Sequence, residues 1–280
     1  MVTLEYLLRF IEEDAPFGDI TSDVIIPDVD TRAIIRAEDA GVVAGLTEAT
    51  TLLSHFAVRV TPAKKDGDTI RTGDVLLTLE GSARMVLLIE RTALNIIGRM
   101  SGIATRTRAL GDLVRAKNPA CRIAATRKTC PGFGALDKKA IIIGGGDPHR
   151  ANLSEGFLIK DNHLALVPIT EAIRRAKAYS AYKKVEVEVE SGDDAVLAAE
   201  SGADIIMLDN MTPGQVADTL ILLKKAGLRD RVTVEVSGGI DEKTLAGYAA
   251  SGADVISMGS LTHTVKNFSV TLEILPQQEN

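Results

Sequence analysis

The N-terminal part of the chain combines one amphipathic helical pattern with short strand patterns. Apolar residues recur at the spacing of a single helix face over 3–13, which predicts a helix. Over 30–80, runs with alternating or continuous apolar residues are separated by turn residues such as Asp66-Gly67. Runs of this kind between turns predict a small, mainly antiparallel sheet.

A long helical pattern follows over 84–116. Gly98 and Gly102 interrupt it, and glycine inside a helix either ends it or allows another backbone to approach closely. The sequence therefore predicts either two consecutive helices or one helix with a tightly packed face.

From residue 121 onward, strand patterns alternate with helical patterns. The strand patterns are CRIAAT, GFLIK, VEVEVE, ADIIMLD, VTVEVS and DVISMG. Alternation of this kind predicts βαβ units and a parallel sheet. Six units without a dinucleotide-binding fingerprint favour a barrel over an open doubly wound sheet, and the Gly-Gly-Gly run at 144–146 follows a helix instead of a strand. The 280 residues thus suit a barrel plus a smaller domain.

Composition narrows the class of protein. The chain is 45% apolar and 25% charged, with a net charge of −6, so general affinity for nucleic acid is not expected. The sequence holds no apolar run long enough to span a bilayer and no signal peptide, and we expect no membrane partner. Two cysteines, Cys121 and Cys130, do not make a disulfide framework. These features predict a cytoplasmic protein.

Against this acidic background, basic residues cluster over 126–163. The cluster comprises Arg127, Lys128, His149, Arg150 and Lys160. Arginine binds carboxylate or phosphate through two parallel hydrogen bonds, and lysine adds a compact charge. The cluster predicts an anion site. None of the four histidines has metal-ligand spacing, and His149 is better suited to donate a hydrogen bond to a carboxylate or phosphate than to bind a metal.

Polar residues also follow several of the predicted strands. In βα barrels the working residues lie at the carboxyl ends of strands, and this position is occupied by Lys160, by Asp209-Asn210, by Ser237-Gly238-Gly239 and by Ser257-Met258-Gly259. The two glycine-rich loops are of the type that binds phosphate through backbone N–H groups, although a glycine that closes an ordinary turn is equally typical.

The VEVEVE strand places glutamates on one face and valines on the other. If Val185, Val187 and Val189 pack on the outer helices, the glutamates face the barrel lumen, where they need cationic or metal partners. The alternative is an exposed edge strand with a solvated acidic face. In the lumen-facing arrangement, Glu188 and Asp209 come from neighbouring units and could reach hydroxyl groups or Mg²⁺. Together these groups suggest a sugar phosphate and a second polyanion as ligands.

Several strings, in order along nearly the whole chain, resemble one family closely. They are FGDIT at 17–21, ERTALNIIGRMSGIAT at 90–105, TRKTCPG at 126–132, GGGDPHR at 144–150, LIKDNH at 158–163, VEVEVE, IMLDN, EVSGGI and ISMGSLTH at 256–263. The family is that of the type II phosphoribosyltransferases, and most of all quinolinate phosphoribosyltransferase.

The resemblance implies an α/β fold with an N-terminal α/β sandwich domain and an open, TIM-like α/β barrel. We expect the sandwich domain, with its helical connection, over 1–110 and the barrel over 111–265. Residues 266–280 are expected to return to the N-terminal domain. The resemblance also implies a homodimer in which Arg91 reaches the site of the partner subunit; from spacing alone, Arg91 is equally an ordinary surface neighbour of Glu90.

The implied reaction is phosphoribosyl transfer from phosphoribosyl pyrophosphate to quinolinate, giving nicotinate mononucleotide, pyrophosphate and CO₂. The implied catalytic residues are Lys160, Glu188 and Asp209, with Mg²⁺ held at Glu188 and Asp209, directly or through water. The implied substrate-binding residues are Arg91, Thr126, Arg127, Lys128, His149, Arg150, Lys160, Glu188, Asp209, Ser237, Gly238, Gly239 and Gly259.

Four places depart from the family's usual residues, the last being Ser269-Val-Thr-Leu, which replaces an Asp-x-Ser-Leu pattern. Gly134 replaces an arginine, Lys139 a tyrosine and Pro148 an asparagine, and these changes lean toward the molybdenum-transport-associated branch. That branch usually lacks the Lys-Asp-Asn-His run, which this chain keeps at 160–163. The sequence therefore favours quinolinate, with a related protein acting on another acid, or a non-catalytic phosphate-binding barrel, as alternatives.

Overall fold

A computed structural model describes residues 2–276, which form two compact units. The helices are α1 (Leu4–Asp14), α2 (Ile20–Ile25), α3 (Leu46–His55), α4 (Ala83–Lys117), α5 (Gly134–Gly144), α6 (Asp161–Leu164), α7 (Ile169–Tyr179), α8 (Gly192–Glu200), α9 (Pro213–Lys225), α10 (Glu242–Ala250) and α11 (Ser260–His263). The strands are β1 (Asp30–Ala37), β2 (Gly41–Val42), β3 (Arg59–Pro62), β4 (Thr69–Ile70), β5 (Val75–Ser82), β6 (Arg122–Ala124), β7 (Phe157–Ile159), β8 (Val185–Val189), β9 (Ile205–Asp209), β10 (Thr233–Ser237), β11 (Val255–Ser257) and β12 (Val270–Ile274).

Among the described residues, the first unit contains 2–108, the segment Cys130–Gly145 and 264–276. Its main sheet has the order β12-β1-β5-β3, and every neighbouring pair is antiparallel. The predicted helix over 3–13 and antiparallel sheet over 30–80 are both confirmed. The expected segment 266–280 contributes β12, and its last four residues lie outside the described part of the chain.

Helix α4 is continuous over 35 residues, so the predicted break at its glycines is wrong and the prediction of close packing is confirmed. A Cβ atom on Gly102 would lie 2.2 Å from the carbonyl oxygen of Lys266, and one on Gly98 would lie 2.9 Å from that of Phe268. The N–H group of Phe268 in turn donates to the Gly98 carbonyl at 2.8 Å. The glycines therefore let the segment before β12 lie directly on the backbone of α4.

Replacing Gly102 by alanine is expected to destabilise the protein by about 1–3 kcal/mol, because the new methyl group overlaps backbone that has little room to move. This net loss already includes the gain in helix propensity from glycine to alanine, about 1 kcal/mol, which offsets only part of the cost of the overlap. Urea unfolding measures the change. Gly214→Ala, at an exposed position of α9 with open space around it, is the control and is expected to be neutral or stabilising.

The second unit, Ala109–Thr129 with Gly146–His263, is the barrel. Its six strands are all parallel, in the order β6-β11-β10-β9-β8-β7. Asp147 adds a single parallel bridge to Ala124 of β6. Val185 and Val187 of β8 are fully buried, and the neighbouring Glu186 is also buried, which confirms the predicted lumen position for Glu186, whereas Glu190 follows the strand and is exposed. The predicted fold class, α/β with an open barrel, is confirmed.

Two further findings concern the chain as a whole. None of the helices described over residues 2–276 is sufficiently long and apolar to cross a membrane. Cys121 and Cys130 are both free thiols, and burial raises the pKa of Cys121 to about 11.

Candidate active site

A cavity of about 470 Å³ opens at the carboxyl ends of the barrel strands. The predicted site residues that line it are Thr126, Arg127, Lys128, His149, Arg150, Lys160, Glu188, Asp209, Ser237, Gly238 and Gly239. Leu158, Met207, Asn210 and Glu235 complete the lining. Residues from separate βα units thus meet in one cavity.

The register of the parallel strands explains this convergence. Asp209 at the end of β9 lies beside Ser237 at the end of β10, and Glu188 of β8 lies beside Met207. Lys160 directly follows β7, which pairs with β8. Because parallel strands present their carboxyl ends at the same edge, these side chains project into the same space.

Lys160 and Glu188 form an ion pair inside the cavity. The Lys160 side chain is 42% exposed, whereas that of Glu188 is 12% exposed. The backbone N–H of Lys160 donates to Nδ1 of His163 at 3.0 Å, which fixes the start of α6. The lysine therefore presents a positioned, partly accessible ammonium group to any ligand in the cavity.

Asp209 lies in an environment that disfavours its charge. Burial raises its pKa, and the carboxylates of Glu190 and Asp161 raise it further, while Lys160 and Lys128 lower it. A cation bound between Asp209 and Glu188 would relieve this repulsion. The carboxylate oxygens of these two side chains are also the ligand type that Mg²⁺ prefers, so the residues fit the expected ion.

Two of the basic residues that line the cavity, Arg127 and Arg150, repel one another. Burial lowers the pKa of Arg150, and the nearby guanidinium of Arg127 lowers it further. Nε of Arg150 is buried without a hydrogen-bond partner among the described residues, while Nη1 donates to the Gly156 carbonyl at 3.1 Å. Lys128 is held by its backbone: its N–H donates to Thr126 Oγ1 at 3.1 Å. An anion between these cations would satisfy both the charge and the free donor.

The loop after β10 requires glycine. Gly238 has φ +93°, and a Cβ atom there would lie 2.3 Å from Oδ1 of Asn210. Asn210 itself has φ +55° and donates its N–H to the Ser237 carbonyl at 3.0 Å. Gly239 also has positive φ, +60°. The loop is thus a tight arrangement of backbone groups of the type that binds phosphate.

Two predicted site residues lie elsewhere. Gly259 follows β11, and a Cβ atom on it would lie 2.8 Å from Cδ of Lys128, so it makes room for that side chain. Arg91 lies on α4 in the first unit, with its side chain 65% exposed and 4.0 Å from Glu90. Its action across a dimer stays a prediction.

His149 is placed differently from a simple anion donor. Its backbone has φ +55°, and its Nδ1 accepts a hydrogen bond from the Arg150 N–H at 2.7 Å. Its Nε2 lies 3.2 Å from Glu186 Oε2 and 3.6 Å from Glu235 Oε1, and both carboxyl groups are buried in the barrel lumen. The imidazole therefore points into an acidic pair.

Glu235 is the residue of this group that the sequence analysis missed. The alternation of apolar and acidic residues that identified the VEVEVE strand could have identified Glu235 too, because Glu235 lies between Val234 and Val236 in VTVEVS. The ligand atoms of His149, Glu186 and Glu235 lie within 4.8 Å of one another. Sequence spacing does not reveal this proximity, since the three residues come from separate segments.

Comparison with known proteins now identifies the family. The model of the quinolinate phosphoribosyl transferase N-terminal domain matches residues 19–101, and the model of the C-terminal domain matches residues 103–273. The chain belongs to the quinolinate phosphoribosyl transferase family. The family resemblance predicted from the sequence motifs is therefore confirmed.

Relatives of the family match over nearly their full length. The chain is 46% identical to the probable carboxylating nicotinate-nucleotide pyrophosphorylase of Methanothermobacter thermautotrophicus, covering 97% of this chain and 98% of that one. It is 45% identical to the protein of the same description from Archaeoglobus fulgidus, covering 93% and 99%. The crystal structure of nicotinate-nucleotide pyrophosphorylase from Ehrlichia chaffeensis superposes with a TM-score of 0.91 at 31% identity, covering 98% and 99%.

Within this family, the three single-residue departures have identifiable positions. Gly134 begins α5, and Lys139 on the same helix pairs with the buried carboxylate of Glu48 at 2.6 Å. Both lie in the first unit. Pro148 directly precedes His149 in the barrel. Among the described residues, the lining of the barrel cavity includes none of the three departures.

Proposed function

We propose that the protein transfers the phosphoribosyl group of phosphoribosyl pyrophosphate to quinolinate, releasing pyrophosphate and CO₂ and forming nicotinate mononucleotide. The observation that carries the proposal is the barrel cavity. It combines a cationic wall (Arg127, Lys128 and Arg150), a carboxylate pair (Glu188 and Asp209) and a glycine-rich loop. These three features suit a dicarboxylate with pyrophosphate, a ribose and a 5′-phosphate. Membership of the family, and the carboxylating activity that its relatives are named for, support the same substrates.

The cationic wall is proposed to hold the dicarboxylate and the pyrophosphate. Arg127 and Arg150 repel one another and Arg150 keeps a free buried donor, so an anion between them removes an existing electrostatic cost. With both carboxylates fixed, the ring nitrogen of quinolinate faces C1 of the ribose. Orientation of this kind replaces a bimolecular encounter with a reaction between positioned groups.

The carboxylate pair is proposed to bind the ribose and the metal. Glu188 and Asp209 would accept hydrogen bonds from the ribose hydroxyls and hold Mg²⁺, directly or through water. When bound, Mg²⁺ would supply positive charge to the pyrophosphate group as it leaves. The carboxylates themselves favour the positive charge that develops on the ribose as its bond to pyrophosphate breaks. Lys160, paired with Glu188, adds a cation beside the departing group.

The loop Ser237-Gly238-Gly239 is proposed to bind the 5′-phosphate through its backbone N–H groups. The positive φ of both glycines allows successive N–H groups to point toward one anion. No protein nucleophile is required. The bond from the ring nitrogen to C1 forms as the bond to pyrophosphate breaks, and the positive nitrogen of the resulting pyridinium stabilises the electron pair that CO₂ leaves on the adjacent ring carbon.

A direct assay tests this function. Purified protein, Mg²⁺ and phosphoribosyl pyrophosphate are mixed with quinolinate or, separately, with nicotinate, and mononucleotide and CO₂ are followed. We expect turnover with quinolinate alone, and loss of turnover when Mg²⁺ is chelated. Turnover with nicotinate alone, or silence with both acids from folded protein, would reject the assignment and favour another acceptor acid.

We also infer a homodimer in which Arg91 completes the site of the partner subunit. The exposed position of Arg91 on α4 is compatible with this role. The free thiols of both cysteines support a cytoplasmic enzyme.

Mixing two inactive variants tests the dimer. Arg91→Ala and Lys160→Ala should each be nearly inactive, and their mixture should recover about a quarter of wild-type activity, because half of the reassorted dimers are mixed and each of these holds one intact site. Activity is measured after the subunits have been allowed to exchange. A mixture no more active than its components, despite demonstrated exchange, would contradict the shared site.

A further inference from the structure

The barrel contains a second cavity, at the end opposite the active site. It has a volume of about 550 Å³ and is lined by residues at the amino ends of strands, including Arg122, Lys184 and Thr233. It shares His149, Arg150 and Glu235 with the active-site cavity. These three residues therefore form a wall with one cavity on each side.

Glu235 is the acid in that wall. Its side chain is 4% exposed, and its Oε1 has no hydrogen-bond partner among the described residues although it lies 3.6 Å from Nε2 of His149. Glu186, 5% exposed, approaches the same Nε2 at 3.2 Å. An unsatisfied buried carboxyl oxygen is costly unless the group carries a proton or has a function.

The imidazole is held in one tautomer. Because Nδ1 of His149 accepts from the Arg150 N–H, the proton of the neutral ring lies on Nε2 and is directed at the two carboxyl groups. A metal ion at Nε2 would require the opposite tautomer, with a proton on Nδ1 facing the Arg150 N–H. The hydrogen bonding thus favours a proton, and not a metal, between His149 and the acids.

The charges around Glu235 favour its protonated form. Burial and the carboxylates of Glu186 and Asp147 raise its pKa, while His149 and the Ser257 hydroxyl lower it, and together these effects raise the pKa of Glu235 to about 7. Arg150 lines both cavities beside it. An acid with this pKa holds a proton near neutral pH and can also release it, as a general acid must.

Decarboxylation creates a need for such a group. When CO₂ leaves the pyridinium, its electron pair stays on the ring carbon, and the product carries a hydrogen there. Resting on the proposed function, we propose that Glu235 supplies this proton from beneath the ring, with His149 and Glu186 positioning it, and that it is reprotonated from water in the opposite cavity.

The step is balanced. The bond from the ring carbon to the carboxylate breaks and CO₂ departs without the bonding electrons. The electron pair takes the proton of the Glu235 carboxyl group, directly or through one water, forming the C–H bond and leaving a carboxylate. A proton from solvent restores the acid, and no oxidant or reductant is involved.

Rapid-quench kinetics on the Glu235→Gln variant tests the proposal. In a single turnover with quinolinate, phosphoribosyl pyrophosphate and Mg²⁺, pyrophosphate release should change little, whereas CO₂ release should slow by about 100-fold. The reason is that an unprotonated carbanion recombines with CO₂ held beside it. A mononucleotide that still carries both carboxylates should therefore accumulate and be detectable by mass spectrometry.

The two release rates separate the possible failures. Glu200→Gln, an exposed glutamate at the end of α8, is the matched control and should keep both rates. Equal changes in both rates of Glu235→Gln, or no change in either, would overturn the proton role. A divalent metal retained stoichiometrically by wild type in Mg²⁺-free buffer, and lost from Glu235→Gln, would also overturn it. Absence of pyrophosphate release from wild type would instead reject the proposed function.

Discussion

Replacing Lys160 by alanine is expected to reduce turnover with quinolinate by about 1,000-fold while the protein remains folded. Lys160 pairs with Glu188 inside the barrel cavity and remains 42% exposed to any ligand there. The substitution removes a cation from beside the leaving pyrophosphate and leaves the Glu188 carboxylate without its partner. The loss therefore falls mainly on kcat, where charge development is greatest.

Steady-state kinetics and circular dichroism together measure this result. Lys177→Ala is the matched control. Lys177 lies on helix α7 and also pairs with a carboxylate of the barrel, that of Asp204, at 2.7 Å. The control should keep kcat within about twofold, since exposed ion pairs contribute little. Near-normal activity of Lys160→Ala would remove Lys160 from the proposed catalytic residues.

Replacing Asp137 by asparagine is expected to cost about 3–5 kcal/mol of folding free energy. Asp137 is fully buried and accepts two parallel hydrogen bonds from Arg99, at 2.8 and 2.9 Å. Burial raises the pKa of Asp137, and Arg99 offsets only part of that rise. The variant replaces the carboxylate beside the Arg99 guanidinium by a neutral amide, and removing one charge of a buried ion pair is costly because the remaining charge loses the attraction that offset its burial.

Chemical denaturation of single and double variants distinguishes this effect from ordinary loss of a salt bridge. Glu171→Gln, which breaks a similar pair with Arg174 on an exposed helix, should cost less than about 1 kcal/mol. A double variant, Arg99→Met with Asp137→Leu, should recover much of the stability lost by Asp137→Asn, because it removes both charges. A small effect of Asp137→Asn alone would contradict the argument.

The barrel was predictable because its signals are local. Strands and helices alternate along the sequence, and polar residues at strand ends meet in space once the strands are parallel. The lumen position of Glu186 and Glu188 followed from alternation within one strand. The glycines of α4 could not be interpreted fully, since their partner, the backbone of Lys266, is far away in the sequence.

The acidic pair around His149 illustrates a different limit. Charge type alone made His149 a donor to anions, but the Arg150 N–H and the left-handed backbone at His149 turn its imidazole toward Glu186 and Glu235. A backbone conformation of this kind is rare for a residue with a side chain, and nothing in a single sequence specifies it. Similarly, the helix α5 belongs to the first unit although strand–helix alternation surrounds it.

The strand β12 has a consequence for synthesis of the protein. It pairs along Ala33–Ala37 of β1, and Arg36 bonds to Glu273 across 237 positions of sequence. During synthesis on the ribosome, the edge of β1 that pairs with β12 therefore stays unpaired until the whole barrel has been made and has begun to fold. An exposed strand edge invites pairing with other chains. Nascent chains stalled before residue 270 should accordingly recruit chaperones that recognise extended segments, and completed chains should release them.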